Sequence, residues 1–307
     1  MSPFMQCRVE NSQLDRVIYH YCDPYALLSI LEHKKLRFTH AAYLNDTLEI
    51  RHGVAICRGI LTELLKGSPD DPVLTNAVAY LANAEEWQYY VCCFSESKDK
   101  LSQWRAYANN GDGFAIGLRV DHLSQSSDGP FECRLDQVSY DPSPLKEGLD
   151  SIVYDLQSEL EEIPTDTDNA AMQWCIDNAA SRIGGWCIDQ SAFHKDAGFS
   201  EEEEWRSVRA YRLEGSELEK NLIEGKGPGV FVRTFQKLQR ELVERRQIHV
   251  GRYGLTPYID VAIQPESINE IVCGPRTAKE LTESSLKILK KKFGLTFTVS
   301  RSTATYR

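Results

Sequence analysis

Four consecutive glutamates ahead of an alternating segment form the most chemically suggestive cluster in the chain. Glu201 to Glu204 lead into residues 205–212, which alternate in polarity as a strand does. Because side chains on a strand alternate between faces, Glu202, Glu204 and Arg206 are predicted to share one face. Crowding would raise the pKa of at least one carboxyl group, and the Arg206 guanidinium would oppose that rise. The plainer interpretation of four carboxylates in a row is a solvated loop.

A histidine lies on the first predicted strand. Residues 16–21 have β-strand character, and a helix over 24–33 follows. His20 is therefore predicted at the edge of a cleft, where one imidazole nitrogen could bind a sugar hydroxyl while the backbone holds the other. A core histidine explains the same pattern. We expect the imidazole and the acidic pair to line a single pocket.

Other residues in the first third of the chain are candidates for holding a ligand. Tyr43 could stack on a flat ring, and Ser95 ends a predicted strand. Asn45 precedes a predicted helix, although an Asn-Asp pair there is also what a helix cap requires. Trp104 and Tyr107 lie one helical turn apart and are predicted to pack in the core.

Several catalytic and binding motifs are missing from the sequence. No GxGxxG follows a predicted strand, no GxxxxGK[ST] occurs, and no serine lies in a GxSxG elbow. Rossmann, P-loop and nucleophile-elbow sites are therefore excluded. The nine cysteines include no CxxC pair, so neither a disulfide framework nor a zinc site is expected.

Charge and hydropathy restrict the class of protein. The chain has 307 residues, of which 42% are hydrophobic, and a formal net charge of −10. That charge argues against a broad nucleic-acid-binding surface, although a local basic groove is compatible with it. No apolar run approaches the ~18 residues that cross a bilayer, and the first residues lack a secretory signal pattern. We therefore expect a cytoplasmic protein with no membrane partner.

Strands are predicted near both ends of the chain and helices in its middle. Two long helices are predicted within 145–190 and a further one within 230–246, where large apolar residues recur at helical spacing. This alternation is not a regular βαβ repeat, which favours an α+β fold over a doubly wound sheet. We predict a single α+β domain over residues 1–307, with helical insertions at about 145–190 and 230–246.

The chain resembles an uncharacterised, mainly bacterial family, domain-of-unknown-function family 2971, over about residues 17–307. The resemblance rests on eight segments: YHY, LRF, NDTLE, CFSESKDKLSQWRAYANNGDGFAIGL, FHKDAGFSEEEEWRSVR, PYIDVAI, IVCGP and SRSTATYR. The family name carries no activity.

A more remote resemblance does imply an activity. The opening strand with YH, the helix with LLSIL and the short strand after KKL are similar to those of ADP-ribosyltransferases of the DNA-targeting toxin and RNA 2′-phosphotransferase kinds. The resemblance implies an ADP-ribosyltransferase-like split sheet core, mixed or antiparallel, with a helix-rich middle insertion. It further implies NAD as substrate, no metal, and a protein or nucleic-acid acceptor. A toxin or phage-defence effector with an antitoxin or defence-system partner is the expected role.

The same resemblance assigns roles to the candidate residues. Glu204 would bind the ribose 2′-hydroxyl and stabilise the positive charge that grows on the ribose, and Glu202 would orient or deprotonate the acceptor. His20 would hold the adenosine ribose. Arg206 would pair with pyrophosphate or lock Glu204, and locking is favoured because neighbouring carboxylates need neutralising. The second element of the site is open among three residues, Tyr43, Asn45 and Ser95.

Two functions of other classes also fit the sequence. One is a catalytically inactive nucleotide-sensing or scaffold module that keeps the same cleft. The other is a metal-dependent nuclease that would use Asp46, Glu49, Glu202 and Glu204, assisted by Lys195. The negative net charge and the lack of a compact D…ExK spacing count against the nuclease.

Overall fold

A computed structural model describes residues 13–44, 49–82, 87–124, 134–212, 244–251 and 254–306. The strands in these ranges are β1 (Val17–Cys22), β2 (Lys35–His40), β3 (Trp87–Ser95), β4 (Phe114–Arg119), β5 (Arg134–Gln137), β6 (Glu204–Arg212), β7 (Gln247–Gly251), β8 (Gly254–Ala262), β9 (Ile268–Cys273) and β10 (Thr298–Arg301). The α-helices are α1 (Pro24–His33), α2 (Glu49–Gly67), α3 (Pro72–Ala82), α4 (Leu101–Tyr107), α5 (Val120–Ser124), α6 (Ser143–Glu161), α7 (Asn169–Ser191) and α8 (Lys279–Phe293).

The strands form one open sheet that is almost entirely antiparallel. Their order is β10–β9–β4–β1–β3–β2–β8–β7, and β6 together with β5 branches from β3. The parallel pair is β9 with β10. Sheet and helices together confirm the predicted α+β class, whereas the finer expectation of an ADP-ribosyltransferase-like core stays a prediction.

Strand β3 is the branch point of the sheet. One edge of β3 pairs with β6 along residues 87–95. The other edge is shared by two strands, because β1 pairs with it at Ser95 and β2 pairs with it at Tyr90 and Val91. The backbone of residues 92–94 therefore faces the gap between β1 and β2.

Helices cover both faces of the sheet, and strand alternation sorts the side chains between them. On the first, named the α1 face, α1 and α8 pack on one set of strand residues, including Ile18, Phe38, Tyr90, Phe94 and Trp205. On the second, named the α7 face, α2, α3, α6 and α7 pack on the alternate set, including Tyr89, Val91 and Val208. A smaller cluster around Trp104 of α4 continues the α7 face over Tyr19 and Tyr21 of β1.

Helix α1 begins and ends at the residues predicted from the sequence. Asp23 caps its first turn by accepting a hydrogen bond from the backbone nitrogen of Ala26 at 2.7 Å, and Pro24 occupies the first helical position. Lys34 ends the helix in the left-handed conformation, with φ of 52°. These local signals were sufficient because each acts within one turn.

The long helices of the α7 face also agree with prediction. Helices α6 and α7 correspond to the two helices predicted within 145–190. The helix predicted within 230–246 lies almost wholly outside the described residues. Among the residues described, no helix combines the length and the apolar character needed to cross a bilayer. The cysteines in the same ranges are free thiols, and five of them are buried.

The C-terminal segment is anchored on the loop that precedes α4. Asp99 accepts hydrogen bonds from Trp104 Nε1 at 2.8 Å, from Thr303 N at 2.6 Å and from Thr303 Oγ1 at 2.8 Å, and it also accepts one from the Ser302 hydroxyl. Gly113, just before β4, lies against other backbone, since a Cβ there would sit 2.3 Å from the carbonyl oxygen of Cys22. Asp99 thus holds residues 302–303 against the loop that precedes α4, and Gly113 lies where a side chain would not fit.

Candidate functional site

The acidic run folds as a tight turn that ends where β6 begins. Residues 197–202 form a 3₁₀ segment, and Asp196 caps it by accepting a hydrogen bond from Gly198 N at 2.9 Å. Glu203 adopts the left-handed conformation, with φ of 47°. Strand β6 starts at Glu204, so Glu202 is not on the strand and the predicted alternation does not include it. The two carboxylates nevertheless come together, for a different reason.

Lys195 joins the two carboxylates. Its Nζ lies 2.6 Å from Glu202 Oε2 and 3.1 Å from Glu204 Oε2. The Lys195 side chain is 4% exposed, and its ammonium also lies 4.6 Å from the centroid of the Phe199 ring. A buried ammonium between two carboxylates fixes their mutual orientation.

Arg206 locks Glu204 from the other side. Its Nε and Nη2 donate to the two oxygens of Glu204 at 2.8 and 3.0 Å, and its Nη1 donates to the carbonyl of Ala192 at 3.0 Å. Burial acts to raise the pKa of Glu204, but attraction to Arg206 and Lys195 outweighs it and holds that pKa below its ordinary value. Two roles were left open for Arg206, pairing with pyrophosphate and holding Glu204. The structure shows the contact with Glu204, whose side chain is buried.

Glu202 is the carboxylate that a ligand can reach. Its side chain is 21% exposed, against 6% for Glu204. The hydroxyl of Tyr107 donates to Glu202 Oε1 at 3.3 Å, and Tyr107 itself is 38% exposed. Trp104 is fully buried as predicted, whereas Tyr107 was expected in the core and instead lies beside the reachable carboxylate.

Two residues support the backbone of the acidic turn. Ser95 pairs with Glu204 across β3 and β6, and its hydroxyl donates to the carbonyl of Glu202 at 3.0 Å. Ser95 is 2% exposed, so it shapes the turn and does not present its hydroxyl to a ligand. Tyr140 Oη accepts a hydrogen bond from Glu204 N at 3.0 Å, and burial raises the pKa of Tyr140 to about 12.

The residues of this site fall inside one segment that matches a family model. Residues 103–207 match the family model described as protein of unknown function (DUF2971). The match covers about a third of the chain and confirms the predicted resemblance over that segment, which includes Tyr107, Lys195, Glu202 and Glu204. No curated protein and no solved structure matches the chain.

His20 lies outside the matched segment and on the other face of the sheet. Its ring meets Phe94 edge-on at 5.8 Å, and Nδ1 lies 3.0 Å from the carbonyl oxygen of Cys93. Burial lowers the pKa of His20, and this hydrogen bond only partly offsets the effect. His20 lies two residues after Ile18 on β1, so both side chains point to the α1 face. Glu204 and its strand partner Ser95 point to the α7 face.

The prediction that the imidazole and the acidic pair line one pocket is therefore wrong. Cys93 marks the separation, because its carbonyl contacts His20 and its thiol contacts Glu204. Strand β3 runs between the two groups. The physical reason is register: face alternation is set within each strand, but which face of β1 matches which face of β6 depends on pairing between strands distant in sequence.

The other predicted ligand-binding residues do not join the acidic site. Tyr43 lies in a 3₁₀ turn after β2 and contacts the ring of His40 at 5.7 Å and 81°. Asn45 lies outside the described residues. Lys195 was considered only as an assisting residue in the nuclease alternative, Tyr107 was expected in the core, and Tyr140 was given no role, although a lysine in the mainly apolar run AFHK was a usable signal.

The acidic cluster and its described neighbours do not form a metal site. Among the residues that the structure describes, no group of three or more His, Cys, Asp and Glu side chains could hold a metal ion. The ammonium of Lys195 occupies the position between Glu202 and Glu204 that a cation would take. Asp46 and the side chain of Glu49, which the nuclease alternative also requires, are not described.

Proposed function

We propose that this protein is an NAD-consuming enzyme of the ADP-ribosyltransferase type that cleaves the nicotinamide–ribose bond, with Glu202 as its reacting carboxylate. The observation that supports this proposal is the Lys195 bridge, which orients a partly exposed carboxylate beside a buried one. The resemblance of the opening segment to such enzymes supplies the reaction type.

The reaction needs one anionic oxygen at the ribose. As the bond from C1′ to the nicotinamide nitrogen breaks, its electron pair leaves with nicotinamide and positive charge develops on the ribose. A carboxylate that accepts a hydrogen bond from the 2′-hydroxyl stabilises that charge more in the transition state than in the ground state. The acceptor, water or a macromolecular nucleophile, then bonds to C1′ and releases a proton to a base.

Accessibility changes the roles assigned from the sequence. The oxygens of Glu204 are engaged by Arg206 and Lys195 in the protein interior, so Glu204 is a positioning residue. Glu202 keeps one oxygen on Lys195 and presents the other toward Tyr107. The exposed Tyr107 ring beside it offers a flat surface on which a nicotinamide ring can stack. The position of His20 leaves it no role at this carboxylate.

Replacing Glu202 with glutamine tests the proposal directly. Nicotinamide release from NAD should fall by about 100-fold or more, because the anionic oxygen is lost while shape and hydrogen-bonding size are kept. Glu201→Gln is the matched control, since Glu201 belongs to the same run and has an exposed side chain. We expect the control to retain wild-type turnover within a factor of about two. Equal turnover by both variants would remove Glu202 from the reaction.

A second experiment addresses the acceptor. Incubating labelled NAD with the protein and a cell lysate, then separating protein, DNA and RNA, identifies the fraction that receives ADP-ribose. We further propose that the protein is cytoplasmic and acts as a toxin or phage-defence effector with an antitoxin or defence partner. The identity of the labelled fraction would refine this role. Label in none of the fractions, with free nicotinamide released, would indicate transfer to water.

The separation of His20 from Glu202 favours one alternative of another class. A non-catalytic nucleotide-binding module needs no carboxylate at the ribose, and the Lys195–Glu204–Arg206 network stabilises the turn in either case. Calorimetry with NAD distinguishes the two functions. Binding without nicotinamide release supports the module, whereas release that depends on Glu202 supports the enzyme.

A further inference from the structure

The hairpin of β7 and β8, at one edge of the sheet, exposes the apolar side of its strands. Ile248 and Val250 of β7 are 61% and 84% exposed, and Leu255 of β8 is 67% exposed. Ile248 lies two residues before Val250, and Val250 pairs with Leu255, so the three side chains share one face. Ile259, four residues after Leu255 on β8, lies in the core of the α1 face. The described helices of that face therefore leave this end of the hairpin uncovered.

The opposite side of the same hairpin is polar and packed. Thr256 is 3% exposed, and Tyr258 is 8% exposed. The ring of His249 meets that of Tyr258 edge-on at 5.3 Å, and the hydroxyl of Tyr258 donates to Gln247 Oε1 at 2.7 Å. A strand with one solvated face normally turns its polar side outward. This hairpin does the reverse, and contiguous apolar side chains on a surface mark a place where another molecule binds.

The open backbone of β7 indicates what kind of molecule binds there. In the part of the chain that the structure describes, β7 pairs with β8 alone. Ile248 pairs with Pro257, which has no N–H, so the hydrogen-bonded pairs of the hairpin are the ones on either side. The N–H and C=O groups of Ile248 and Val250 consequently point away from β8, toward the open edge. Such an edge is a template for an extended segment of another chain.

The charge around this edge restricts the segment further. Residues 245–259 contain three arginines and no Asp or Glu, in a chain whose formal net charge is −10. Two of these arginines, Arg245 and Arg246, directly precede β7. A second copy of the chain would bring the same basic segment against this one, and like charges across paired strands are destabilising. Lipid hydrocarbon would leave the open backbone groups without hydrogen-bond partners. An acidic polypeptide segment meets both requirements.

We propose that β7 is a docking edge for an extended, acidic segment of a partner protein, which adds to the sheet as a further strand. Main-chain hydrogen bonds to Ile248 and Val250 hold the segment, and its aliphatic side chains cover theirs and that of Leu255. Its Asp and Glu side chains pair with the arginines that flank the strand. Strands β2 and β8 separate this edge from β3 and the acidic turn, so the inference goes beyond the proposed reaction and does not depend on it.

Fluorescence anisotropy with labelled synthetic peptides tests the docking edge on the full chain. The probe is the peptide EEVTVTVEE. One comparison peptide replaces its four glutamates with lysines, and a second is N-methylated at every valine and threonine. We expect the acidic peptide to bind and both comparison peptides to bind at least about tenfold more weakly. The first loses the charge attraction, and the second loses the backbone donors that strand pairing requires. These comparisons need no change to the protein.

Two substitutions at one position separate strand pairing from apolar contact. Val250→Pro removes the outward N–H, keeps an apolar side chain and breaks no hydrogen bond to β8, and edge strands tolerate proline at such positions. Val250→Thr is the matched control, because it keeps the N–H and the branched shape. We expect Val250→Pro to weaken binding of the acidic peptide at least about tenfold, and Val250→Thr to bind it within about threefold of wild type.

The other possible occupants of the edge are outcomes of the same set of proteins. A wild-type dimer in sedimentation that Val250→Pro dissociates would assign the edge to a second copy. Binding to phosphatidylserine vesicles that survives Val250→Pro would assign it to a membrane surface, and either result would overturn the proposal. So would the absence of acidic-peptide binding by the wild type, equal binding of the acidic and lysine peptides, or equal affinity of Val250→Pro and Val250→Thr.

Discussion

Replacing Lys195 with methionine removes the cation between the two carboxylates and keeps most of its hydrocarbon chain. Its Nζ is 2.6 Å from Glu202 and 3.1 Å from Glu204, and the side chain is 4% exposed. Removing one partner of a buried ion pair typically costs about 3–5 kcal/mol. Arg206 still neutralises Glu204 in the variant and Glu202 can turn toward water, so we expect the lower end of that range, about 3 kcal/mol.

Urea unfolding measures this loss. With a slope of roughly 3 kcal/mol per molar urea for a chain of this size, the midpoint should fall by about 1 M. Lys66→Met is the matched control, because Lys66 pairs with Glu63 at 2.6 Å but the two side chains are 66% and 71% exposed. Exposed pairs contribute little, so the control should lose no more than about 0.5 kcal/mol.

The pH dependence gives a second, independent check of the Lys195 contact. Burial acts to raise the pKa of Glu204, but Arg206 and Lys195 hold it below the ordinary value of 4.5. A carboxyl group with a lowered folded-state pKa stabilises the fold above its unfolded pKa and loses that contribution as pH falls through the lowered value. The stability difference between wild type and Lys195→Met should therefore narrow below about pH 4.5. A loss under about 1 kcal/mol at pH 7, or a difference independent of pH, would refute this account of the bridge.

Three further substitutions probe other parts of the fold. Asp99→Ala removes the acceptor that holds the C-terminal segment, so limited proteolysis should release that segment earlier than in the wild type, and unchanged cleavage would contradict the anchor. Gly113→Ala forces a Cβ to 2.3 Å from the Cys22 carbonyl and should reduce soluble yield, whereas Gly185→Ala has open space and should be neutral or slightly stabilising in thermal melts. Burial raises the pKa of Asp189 to about 6. The free energy of unfolding therefore falls as pH rises from the unfolded-state pKa toward 6, because the unfolded chain releases this proton first. Asp189→Asn should accordingly stabilise the protein at pH 7 by up to about 3 kcal/mol in urea unfolding but not at pH 3, and an equal effect at both would be inconsistent with that pKa.

Elements governed by local signals could be predicted from the sequence. Helix α1 follows from Asp23 at its cap and Pro24 at its first position, and the class of the fold follows from the order of strands and helices. The meeting of Glu202, Glu204 and Arg206 was also predicted. The reason they meet was not predicted. Glu203 adopts the left-handed conformation, so Glu202 does not lie on the strand, and Lys195 brings the two carboxylates together instead.

Relations between distant strands could not be predicted. His20 and Glu204 were each placed correctly on strands, yet a shift of one residue in pairing moves a side chain to the other face. Pairing of β1 with β3 at Tyr19 and Ser95 makes that choice, and no single segment contains the information. The exposure of Tyr107 was missed for the same reason, since it depends on how α4 docks against the acidic turn.

The branch point at β3 has a consequence for how the chain is made. Ser95 pairs with Glu204, so β3 leaves the ribosome about 110 residues before its partner along that edge. At roughly 5–20 residues per second that interval lasts several seconds or more. During it the segment WQYYVCCFS, without a charge or a proline, has one edge unprotected. We expect newly made chains to depend on chaperones until β6 arrives.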